Sequence, residues 1–587
     1  SFLTRLSSYC VDNNVNDVQG NNLLTLLRTH ECFNHFPKDI RTLVHTPRNR
    51  VTTYVVAPGE YIHFSQEVEI VKYLNNCPYS SSIHEIQLDF HTDGYSLDRA
   101  GSIQLWPIQC MIRNLPHARP VIVGIYRGPQ KPDSPCSFFS KFIRDVQDII
   151  SKGGIDFHGT KVPIKLRCFI ADAPARAFIL NHRSHISNRP CSKCKVSGVQ
   201  SERRLAYIGV DHPLRTDVQY VQCLDEDHHK EGGSPLASLS FGMVSQVPFE
   251  YMHLVCLGVV KKLLSAWICG KYSRSSKLSS SQVSLMSARL ESLRQYCPSN
   301  FARRPRSIQQ FSNYKAVEFR QFLLYTGPVI ASGILPDKLF NHFLLLHSAI
   351  RVLASQSPSP GYLNFAEIAL QKFVLRSEQL YGPHFCSYNI HGLLHLTEDV
   401  RRLGSVDSFS AFPYESNMKV FKKYCRKAGQ PLQQIVKRMA EIDSSRVYVN
   451  RDQVSSIQVS MPIGSGTESH LQYRKIQFNG MAFSVDVRDN CCILQNGTIS
   501  IICSIVKQGD GVQLGVRSFL QVDDMYDIGA KSSALGLYKC RHLCREYFIN
   551  VNDVFGKCFR MPLPGGEVEA EDNKEYAIAV LLNSQDM

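Results

Sequence analysis

The stretch HEIQLDFHTDGYSLDRAGSIQLWPIQCMI, residues 84–112, decides the fold, together with RPVIVGIYRG at 119–128. Short apolar runs rich in β-branched and aromatic residues alternate with turn residues, which predicts three neighbouring strands. Next come an amphipathic helix at 138–154 and a buried strand within VPIKLRCFIADAPARAFIL at 162–180. The chain therefore opens its main domain with three strands, a helix and a fourth strand.

This order is the opening order of an RNase H-like fold, in which the ends of the first and fourth strands lie side by side. Asp93 follows the first predicted strand and Asp172 the fourth, so both are candidate metal-binding carboxylates. Asp89 lies within the first strand and is an alternative to Asp93. Ordinary local structure also accounts for these positions, since Asp-Gly is a common turn and Asp172 can cap the helix that follows it.

Length and patterning predict several domains. The chain has 587 residues, of which 43% are hydrophobic, and can bury a large core. The predicted fold class is α/β, with an RNase H-like catalytic core interrupted by a large all-α insertion and followed by a small C-terminal β-rich domain. The predicted segments are a mixed leader (1–80), the first part of the core with a cysteine pair (81–240), the helical insertion (241–388), the end of the core (389–456) and the β-rich domain (470–587).

Composition limits the class of protein. The net charge of +15 favours a polyanionic partner such as nucleic acid. No apolar run reaches the roughly 18 to 20 residues of a membrane span, and the start SFLTRLSSYC lacks the pattern of a signal peptide, so we expect a soluble, intracellular protein without a membrane partner. Position 1 is not Met, which is compatible with a fragment. The twenty cysteines are scattered through the chain and are expected to be mostly reduced thiols.

Two pairs of residues have the spacing of metal ligands. Cys191 and Cys194 have the two-residue gap of a zinc knuckle, and His391 and His395 are one helical turn apart on one face. Zinc prefers four such ligands in a tetrahedron, so the pairs complement each other. The rival source of imidazole is the pair at 228–229, but adjacent residues are less able to point at one ion. We therefore favour His391 and His395.

A two-metal site at Asp93 and Asp172 would require a third carboxylate close to them. Two-metal phosphoryl transfer uses carboxylates that flank two Mg²⁺ ions about 3.5–4 Å apart. The candidate is Glu415 in FPYESNMKVFKKYCRK (412–427), although a Glu early in a helix also interacts favourably with the helix dipole. Glu318 is the rival, but Arg320 close by predicts an internal ion pair. His253, in the apolar run EYMHLVCLG, is expected to be a buried packing residue.

Basic residues follow the candidate glutamate. Four of them have the spacing i, i+3, i+4, i+7, which predicts one positive stripe on a helix. A solvated face is the ordinary explanation of such a stripe, but beside a metal-binding carboxylate it can track a phosphate backbone. The candidate DNA-binding residues are Lys419, Lys422, Lys423, Arg426 and Lys427, with Arg401 and Arg402 upstream.

Five motifs together resemble a known family. They are HTDGYSLDRAGSIQLWPIQC, FIADAPARAFIL followed by CSKC, EYMHLVCLGVVKKLL, EFRQFLLYTGP and FPYESNMKVFKKY. In this order they resemble the DDE transposases of the CACTA, Mirage and Chapaev group of cut-and-paste elements, which are similar to the V(D)J recombinase catalytic core. The resemblance runs from about residue 23 into the C-terminal domain.

The resemblance implies a set of site residues and an activity. It assigns the Asp-Asp-Glu triad to Asp93, Asp172 and Glu415, holding two Mg²⁺ or Mn²⁺ ions, and it assigns one structural Zn²⁺ to Cys191, Cys194, His391 and His395. The implied function is a DNA transposase that cleaves and transfers strands at element ends, acting in the nucleus on double-stranded DNA as a homodimer. The alternative is a catalytically silent, transposon-derived nuclear DNA-binding or scaffold protein. A nuclease for RNA–DNA hybrids is disfavoured by the large insertion.

Overall fold

The computed structural model describes residues 2–201, 204–427, 429–445, 457–463, 471–509, 511–564 and 574–582. The chain divides into two compact units, each discontinuous in sequence. The first unit comprises the described parts of 1–182, 217–248 and 411–451, and the second those of 183–216, 249–410 and 452–587. The end of the predicted 389–456 segment, from residue 446, lies outside the described residues. The Gly/Ser-rich stretch PIGSGTESH at 462–470 predicts a linker, and its residues 464–470 also lie outside the described part.

Helices occur in both units. In chain order they are α1 (Phe2–Asp12), α2 (Asp17–Leu27), α3 (Ile40–Leu43), α4 (Gln66–Asn75), α5 (Pro135–Ser151), α6 (Ala173–Ile179), α7 (Asp217–Val221), α8 (Lys261–Cys269), α9 (Ser280–Ser292), α10 (Ala316–Gln321), α11 (Gly327–Ala331), α12 (Asp337–Ala354), α13 (Pro360–Tyr381), α14 (Tyr388–Gly392), α15 (Leu396–Leu403), α16 (Phe412–Met418), α17 (Val420–Tyr424) and α18 (Pro431–Ser445). Two π-helical segments, Met252–Val260 and Phe322–Thr326, run directly into α8 and α11.

The strands fall into two large sheets and two short hairpins. They are β1 (Tyr54–Val56), β2 (Gly59–His63), β3 (Ile86–Thr92), β4 (Tyr95–Ser96), β5 (Gln104–Ile112), β6 (Val121–Gly128), β7 (Ile155–Phe157), β8 (Thr160–Val162), β9 (Ile164–Ile170), β10 (Val199–Ser201), β11 (Arg204–Ala206), β12 (Gln458–Ile463), β13 (Leu471–Phe478), β14 (Met481–Ser484), β15 (Cys491–Leu494), β16 (Ile499–Gln508), β17 (Gly511–Asp524), β18 (Leu537–Leu543), β19 (Tyr547–Asn550), β20 (Val554–Pro562) and β21 (Tyr576–Val580).

The sheet of the first unit has the order β1-β2-β6-β5-β3-β9, with β4 paired to β5. Strands β3, β5 and β6 are antiparallel neighbours, and β9 lies parallel to β3. The predicted run of three strands, a helix and a fourth strand is confirmed. A crossover through α5 is required because a parallel pair cannot be closed by a tight turn.

Helix α5 covers one face of this sheet. The Ser134 hydroxyl caps its first turn and Pro135 starts it, a common combination at helix N-termini. Phe138 and Phe142 are four residues apart and fully buried, so they share the apolar face. The Phe142 ring lies edge-on to Phe90 of β3 with centroids 5.0 Å apart. The aromatic spacing in the sequence therefore fixes which face of α5 meets the sheet.

The leader predicted for residues 1–80 contributes to the sheet instead of standing apart. Strand β2 pairs antiparallel with β6, with Tyr61 opposite Tyr126, and β1 extends the same edge. Helix α1 contacts α18, where the Ser8 hydroxyl donates to the carbonyl of Ser445 at 2.6 Å. The strand pattern at 54–63 is readable in the sequence, but its partner lies some 60 positions further along the chain.

The helical part of the second unit begins after residue 248, since 241–248 belong to the first unit. Helices predicted within 281–382 are confirmed as α9 to α13. The segment Met252–Cys269 has 18 residues, a mean hydropathy of 1.5 and 56% of its residues buried, so by length and composition it could cross a membrane. The expectation that no apolar run reaches the length of a membrane span was therefore wrong. The core helix of a folded protein can have the same length and composition.

The C-terminal β-rich sheet is confirmed and has the order β12-β13-β16-β15-β20-β21-β18-β17-β19, with β14 paired to β13. It begins at β12, before the predicted start at residue 470. It also belongs to the same compact unit as the helices. Arg351 of α12 is buried and donates to the carbonyls of Leu535 and Val580. All twenty cysteines are free thiols, as expected.

Candidate functional site

Asp93 and Asp172 follow neighbouring parallel strands. The register of β3 and β9 pairs His91 with Ile170, so two residues further on Asp93 is level with Asp172. Both ordinary local roles are also present. The Asp93 Oδ1 accepts from the next backbone N–H at 2.6 Å, and the Asp172 Oδ1 accepts from a backbone N–H in the first turn of α6 at 2.8 Å. The two aspartates therefore mark one end of the sheet.

Asp89 has a different environment from Asp93. Its side chain is fully buried, and Arg167 of β9 binds both oxygens in a fork, with Nε at 2.7 Å from Oδ1 and Nη2 at 2.5 Å from Oδ2. The Cys168 thiol donates to Oδ1 as well, at 3.1 Å. A carboxylate held in this way is part of an internal ion pair. The geometry favours Asp93 over Asp89 as the carboxylate available to a cation.

Helix α16 is anchored on the same sheet by the residues on either side of Glu415. The Tyr414 ring stacks on His91 of β3 with centroids 4.7 Å apart and planes 11° apart. Its carbonyl accepts from Gln109 of β5 at 3.4 Å. Asn417 donates from Nδ2 to Oε1 of Gln109 at 2.8 Å. These contacts place Glu415 beside the end of β3.

Carboxylate oxygens of Asp93 and Glu415 consequently lie within 4.8 Å of each other. Both residues are half-buried. Two carboxylates at this separation repel each other, and a divalent cation between them relieves that repulsion. Burial raises the pKa of Tyr95, and the Glu415 carboxylate raises it further. In the described part of the chain Asp172 does not join the pair at this distance, because its Oδ1 caps α6.

Cys191, Cys194, His391 and His395 meet within the second unit, all four buried and with ligand atoms within 4.8 Å of one another. The Cys194 Sγ lies 3.2 Å from His391 Nε2, and the Cys191 Sγ lies 3.4 Å from His395 Nε2. The two Nε2 atoms are 3.3 Å apart. A tetrahedron with metal distances of about 2.3 Å to sulfur and about 2.05 Å to nitrogen has S–N edges near 3.5 Å and an N–N edge near 3.3 Å. The donor set and its size fit one zinc ion.

Further contacts hold the loop that carries the cysteines. Arg215 Nε donates to the carbonyls of Cys191 and Cys194 at 3.1 and 3.0 Å. Lys193, between the cysteines, forms a buried ion pair with Asp399 of α15. The other oxygen of Asp399 accepts from the backbone N–H of Phe249 at 2.9 Å. The loop is therefore fixed to the helices that carry the two histidines.

Three side chains of the cluster have shifted pKa values. Burial opposes ionisation of Cys191, but a hydrogen bond from Cys194 and the imidazoles of His395 and His391 bring the pKa of the Cys191 thiol well below its ordinary value. The same hydrogen bond, together with burial, raises the pKa of Cys194. Burial lowers the pKa of His391, which keeps its imidazole neutral. Thiolate and neutral imidazole are the forms that bind a metal, so Cys191 and His391 are in the binding form, whereas the Cys194 thiol would release its proton on binding.

The rival residues have other roles. His228 and His229 lie in the first unit, where His228 Nε2 is 3.1 Å from the Tyr220 hydroxyl. Glu318 forms the predicted internal ion pair, but with Arg306 at 2.5 Å. The predicted partner Arg320 pairs with Asp407 instead, at 2.7 Å. The predicted pairing of Glu318 with Arg320 was wrong because residues two apart on a helix do not face each other.

His253 is not the buried packing residue that its apolar surroundings predicted. Its side chain is 26% exposed, and its Nδ1 lies 2.6 Å from Oε1 of Glu250. Glu250 is itself buried. A signal was available in the sequence, since Glu and His three positions apart face each other on a helix.

The predicted positive stripe is shorter than expected. The helix is interrupted at Lys419 and ends at Tyr424, so Arg426 lies beyond it. Arg426 donates from Nη2 to Asn14 Oδ1 at 2.6 Å, and burial lowers its pKa. Lys422 lies over the Tyr95 ring at 5.3 Å. The exposed cations of this segment are Lys419, Lys422, Lys423 and Lys427.

Arg401 and Arg402 form surface ion pairs. Arg401 lies 2.6 Å from Glu367 of α13, and Arg402 lies 2.8 Å from Glu398. Their charges are largely compensated. They are therefore weaker candidates for phosphate contact than the exposed lysines that follow Glu415.

The two units together define a mixed α/β protein with a carboxylate pair in one unit and a buried Cys₂His₂ cluster in the other. A family model described as a domain of unknown function, DUF8592, matches residues 458–577. This match coincides with the C-terminal β-rich sheet. Comparison with curated proteins finds no match.

Proposed function

We propose that the chain is a DNA transposase of the DDE type, with Asp93, Asp172 and Glu415 as its metal-binding carboxylates. The observation that carries the proposal is the approach of Asp93 and Glu415 within 4.8 Å at the end of the sheet where Asp172 also lies. The strand order β6-β5-β3-β9 supports an RNase H-like core. The helical tract between β9 and α16 has the position of an insertion in that core.

The carboxylates fit hard divalent cations, because Mg²⁺ and Mn²⁺ prefer oxygen donors. Asp93 and Glu415 would hold one ion between them, and Asp172 would complete the set. Bound Mg²⁺ would activate the attacking oxygen and stabilise the leaving oxygen of a phosphodiester. The residues of the chain position this chemistry, since Tyr414 and Asn417 fix α16 on the sheet. The exposed lysines after Glu415 would contact DNA phosphates.

The Cys₂His₂ cluster would hold one structural zinc ion. All four donors are protein side chains and all are buried, which matches a closed structural site. The ion would join the cysteine loop to the segment that carries the histidines. We further propose that the enzyme acts in the nucleus as a homodimer, because a transposase must pair two DNA ends.

The central experiment is strand cleavage and strand transfer with labelled duplexes carrying candidate element ends, in Mg²⁺ or Mn²⁺. The wild type is expected to nick and join DNA, whereas Asp172→Asn and Glu415→Gln are expected to abolish both steps and keep the circular dichroism spectrum. Asp98→Asn is the matched control, because Asp98 is a half-buried carboxylate, like Asp93, and accepts from Ser102. Undiminished cleavage by Asp172→Asn contradicts the assignment. DNA binding without cleavage by the wild type would indicate the catalytically silent alternative.

A further inference from the structure

Three cations in the second unit surround one aromatic ring. Lys262 of α8 lies over the Tyr272 ring at 4.6 Å, and Lys271 lies over the same ring at 5.9 Å. Burial raises the pKa of Tyr272, and the nearby charge of Arg204 of β11 opposes this rise. Lys262 also lies over the Phe385 ring at 5.1 Å. We call Arg204, Lys262, Lys271, Tyr272 and Phe385 the cation cluster.

The rings of the cation cluster are held firmly. Tyr272 and Phe385 meet edge to face, with centroids 5.2 Å apart. His384 Nε2 lies 2.8 Å from the carbonyl of Tyr272, which ties the turn after α8 to the turn after α13. Arg204 and Lys271 are exposed and Lys262 is half-buried. The cluster is therefore a preformed site with an open side.

Among the described residues, no carboxylate lies within ion-pair distance of these three cations; Glu202 and Arg203 lie outside that part of the chain. Burial, together with the charges of Arg204 and Lys271, lowers the pKa of Lys262 to about 8. Like charges brought together on partly desolvated side chains raise the free energy of the folded state. Cation–π contacts offset only part of this. An anion in the cluster would offset the rest.

We propose that the cation cluster binds a backbone phosphate of a DNA strand. Arg204 offers a planar fork for two phosphate oxygens, and the two lysines offer point charges. The net charge of +15 is compatible with a polyanion. The inference rests on the proposed DNA substrate, but it involves none of the carboxylates and none of the Cys₂His₂ ligands.

The test is DNA binding by the full chain without added Mg²⁺, measured by fluorescence anisotropy of a labelled duplex over a range of salt concentrations. The variant Arg204→Gln with Lys271→Gln is expected to weaken binding about tenfold and to reduce the slope of log Kd against log salt by about 1. Lys372→Gln is the control, since Lys372 is an exposed lysine of α13. Lys262→Arg keeps the charge and is expected to bind nearly as well as the wild type.

A second measurement follows acylation of individual lysines by mass spectrometry. DNA is expected to slow modification of Lys262 and Lys271 severalfold and to leave Lys372 unchanged. If the wild type binds DNA while the double variant binds equally well and the lysines are not protected, the cation cluster proposal is overturned and the proposed function stands. Protection by DNA without any strand cleavage supports the cluster and removes the catalytic proposal. A wild type that binds no DNA removes both.

Discussion

Asp89 and Asp93 have different environments, although the two residues are only four positions apart. Asp89 is fully buried and held by Arg167, whereas Asp93 is half-buried and lies near Glu415. Removing one member of a buried ion pair leaves an uncompensated charge, which costs about 3–5 kcal/mol. Removing one of two neighbouring carboxylate charges relieves repulsion instead.

We therefore expect Asp89→Asn to lower the free energy of unfolding by about 3 kcal/mol or more, and Asp93→Asn to leave it unchanged or raise it. Urea unfolding of the first unit can be followed through Trp106 in a Trp267→Phe background, because the chain has two tryptophans. Asp93→Asn is further expected to weaken Mn²⁺ binding in calorimetry. Equal stability of Asp89→Asn and the wild type would contradict the structural role of Asp89.

A buried histidine makes the second unit sensitive to acid. His342 of α12 is fully buried, and its Nε2 donates to the carbonyl of Phe373 at 2.9 Å. Burial lowers the pKa of His342 from its ordinary value of 6.5 to about 4. The unfolded chain thus takes up a proton near pH 6.5, whereas the folded chain does so only near pH 4. The contribution of His342 to stability is complete above pH 6.5 and is lost between about pH 6.5 and 4.

The expected loss from His342 is about 2 kcal/mol on going from pH 7 to pH 5. Urea unfolding monitored through Trp267 at the two pH values measures it. In His342→Gln this part of the pH dependence should disappear, and the variant should be less stable than the wild type at pH 7 because the stacking of His342 on Phe373 is lost. An unchanged pH dependence in His342→Gln would show that other groups cause it.

Helix α16 depends on side-chain contacts with the sheet for its position. It has seven residues, too few for independent stability. Asn417 connects it to Gln109, which is fully buried. We expect Asn417→Ala to lower the free energy of unfolding by about 1–3 kcal/mol, since Gln109 loses a donor. Mn²⁺ affinity should fall as well, because Glu415 is no longer fixed. Ser416→Ala, an exposed change on the same helix, should alter neither measurement.

The Cys₂His₂ cluster determines the conformation of a loop with little regular structure. Segment 183–216 contains only the short hairpin of β10 and β11 as regular secondary structure in its described part. We expect one zinc ion per chain by plasma mass spectrometry and none in Cys191→Ala with His391→Ala. That double variant should be cleaved faster by protease within the loop. Cys136→Ala, which changes an exposed cysteine of α5, should keep the metal. Undiminished zinc in the double variant would contradict the site.

In the second unit, the buried guanidinium of Arg351 is one of the groups that connect helices to the C-terminal sheet. Arg351 donates to the carbonyls of Leu324, Leu535, Gly536 and Val580. We expect Arg351→Met to lower the free energy of unfolding by several kcal/mol, because these carbonyls lose their donor. The single transition monitored through Trp267 should split into two. Arg376→Met, an exposed change on α13, should keep one transition.

The sequence by itself determined the local elements and the chemistry available to them. Helical periodicity predicted α5, and short apolar runs rich in β-branched and aromatic residues predicted β3, β5, β6 and β9. Spacing also predicted a Cys₂His₂ set and a carboxylate in α16. The stripe through Arg426 failed because a helix end depends on contacts with distant residues such as Asn14.

Tertiary structure alone decided which distant residues meet. The pairing of β2 with β6, the ion pair of Asp89 with Arg167 and the contacts of helices with the C-terminal sheet depend on positions far apart in the chain. The cation cluster likewise comes from three separate segments. The physical reason is that burial and electrostatic energies depend on distance in space, whereas a sequence pattern reports only the faces of single elements.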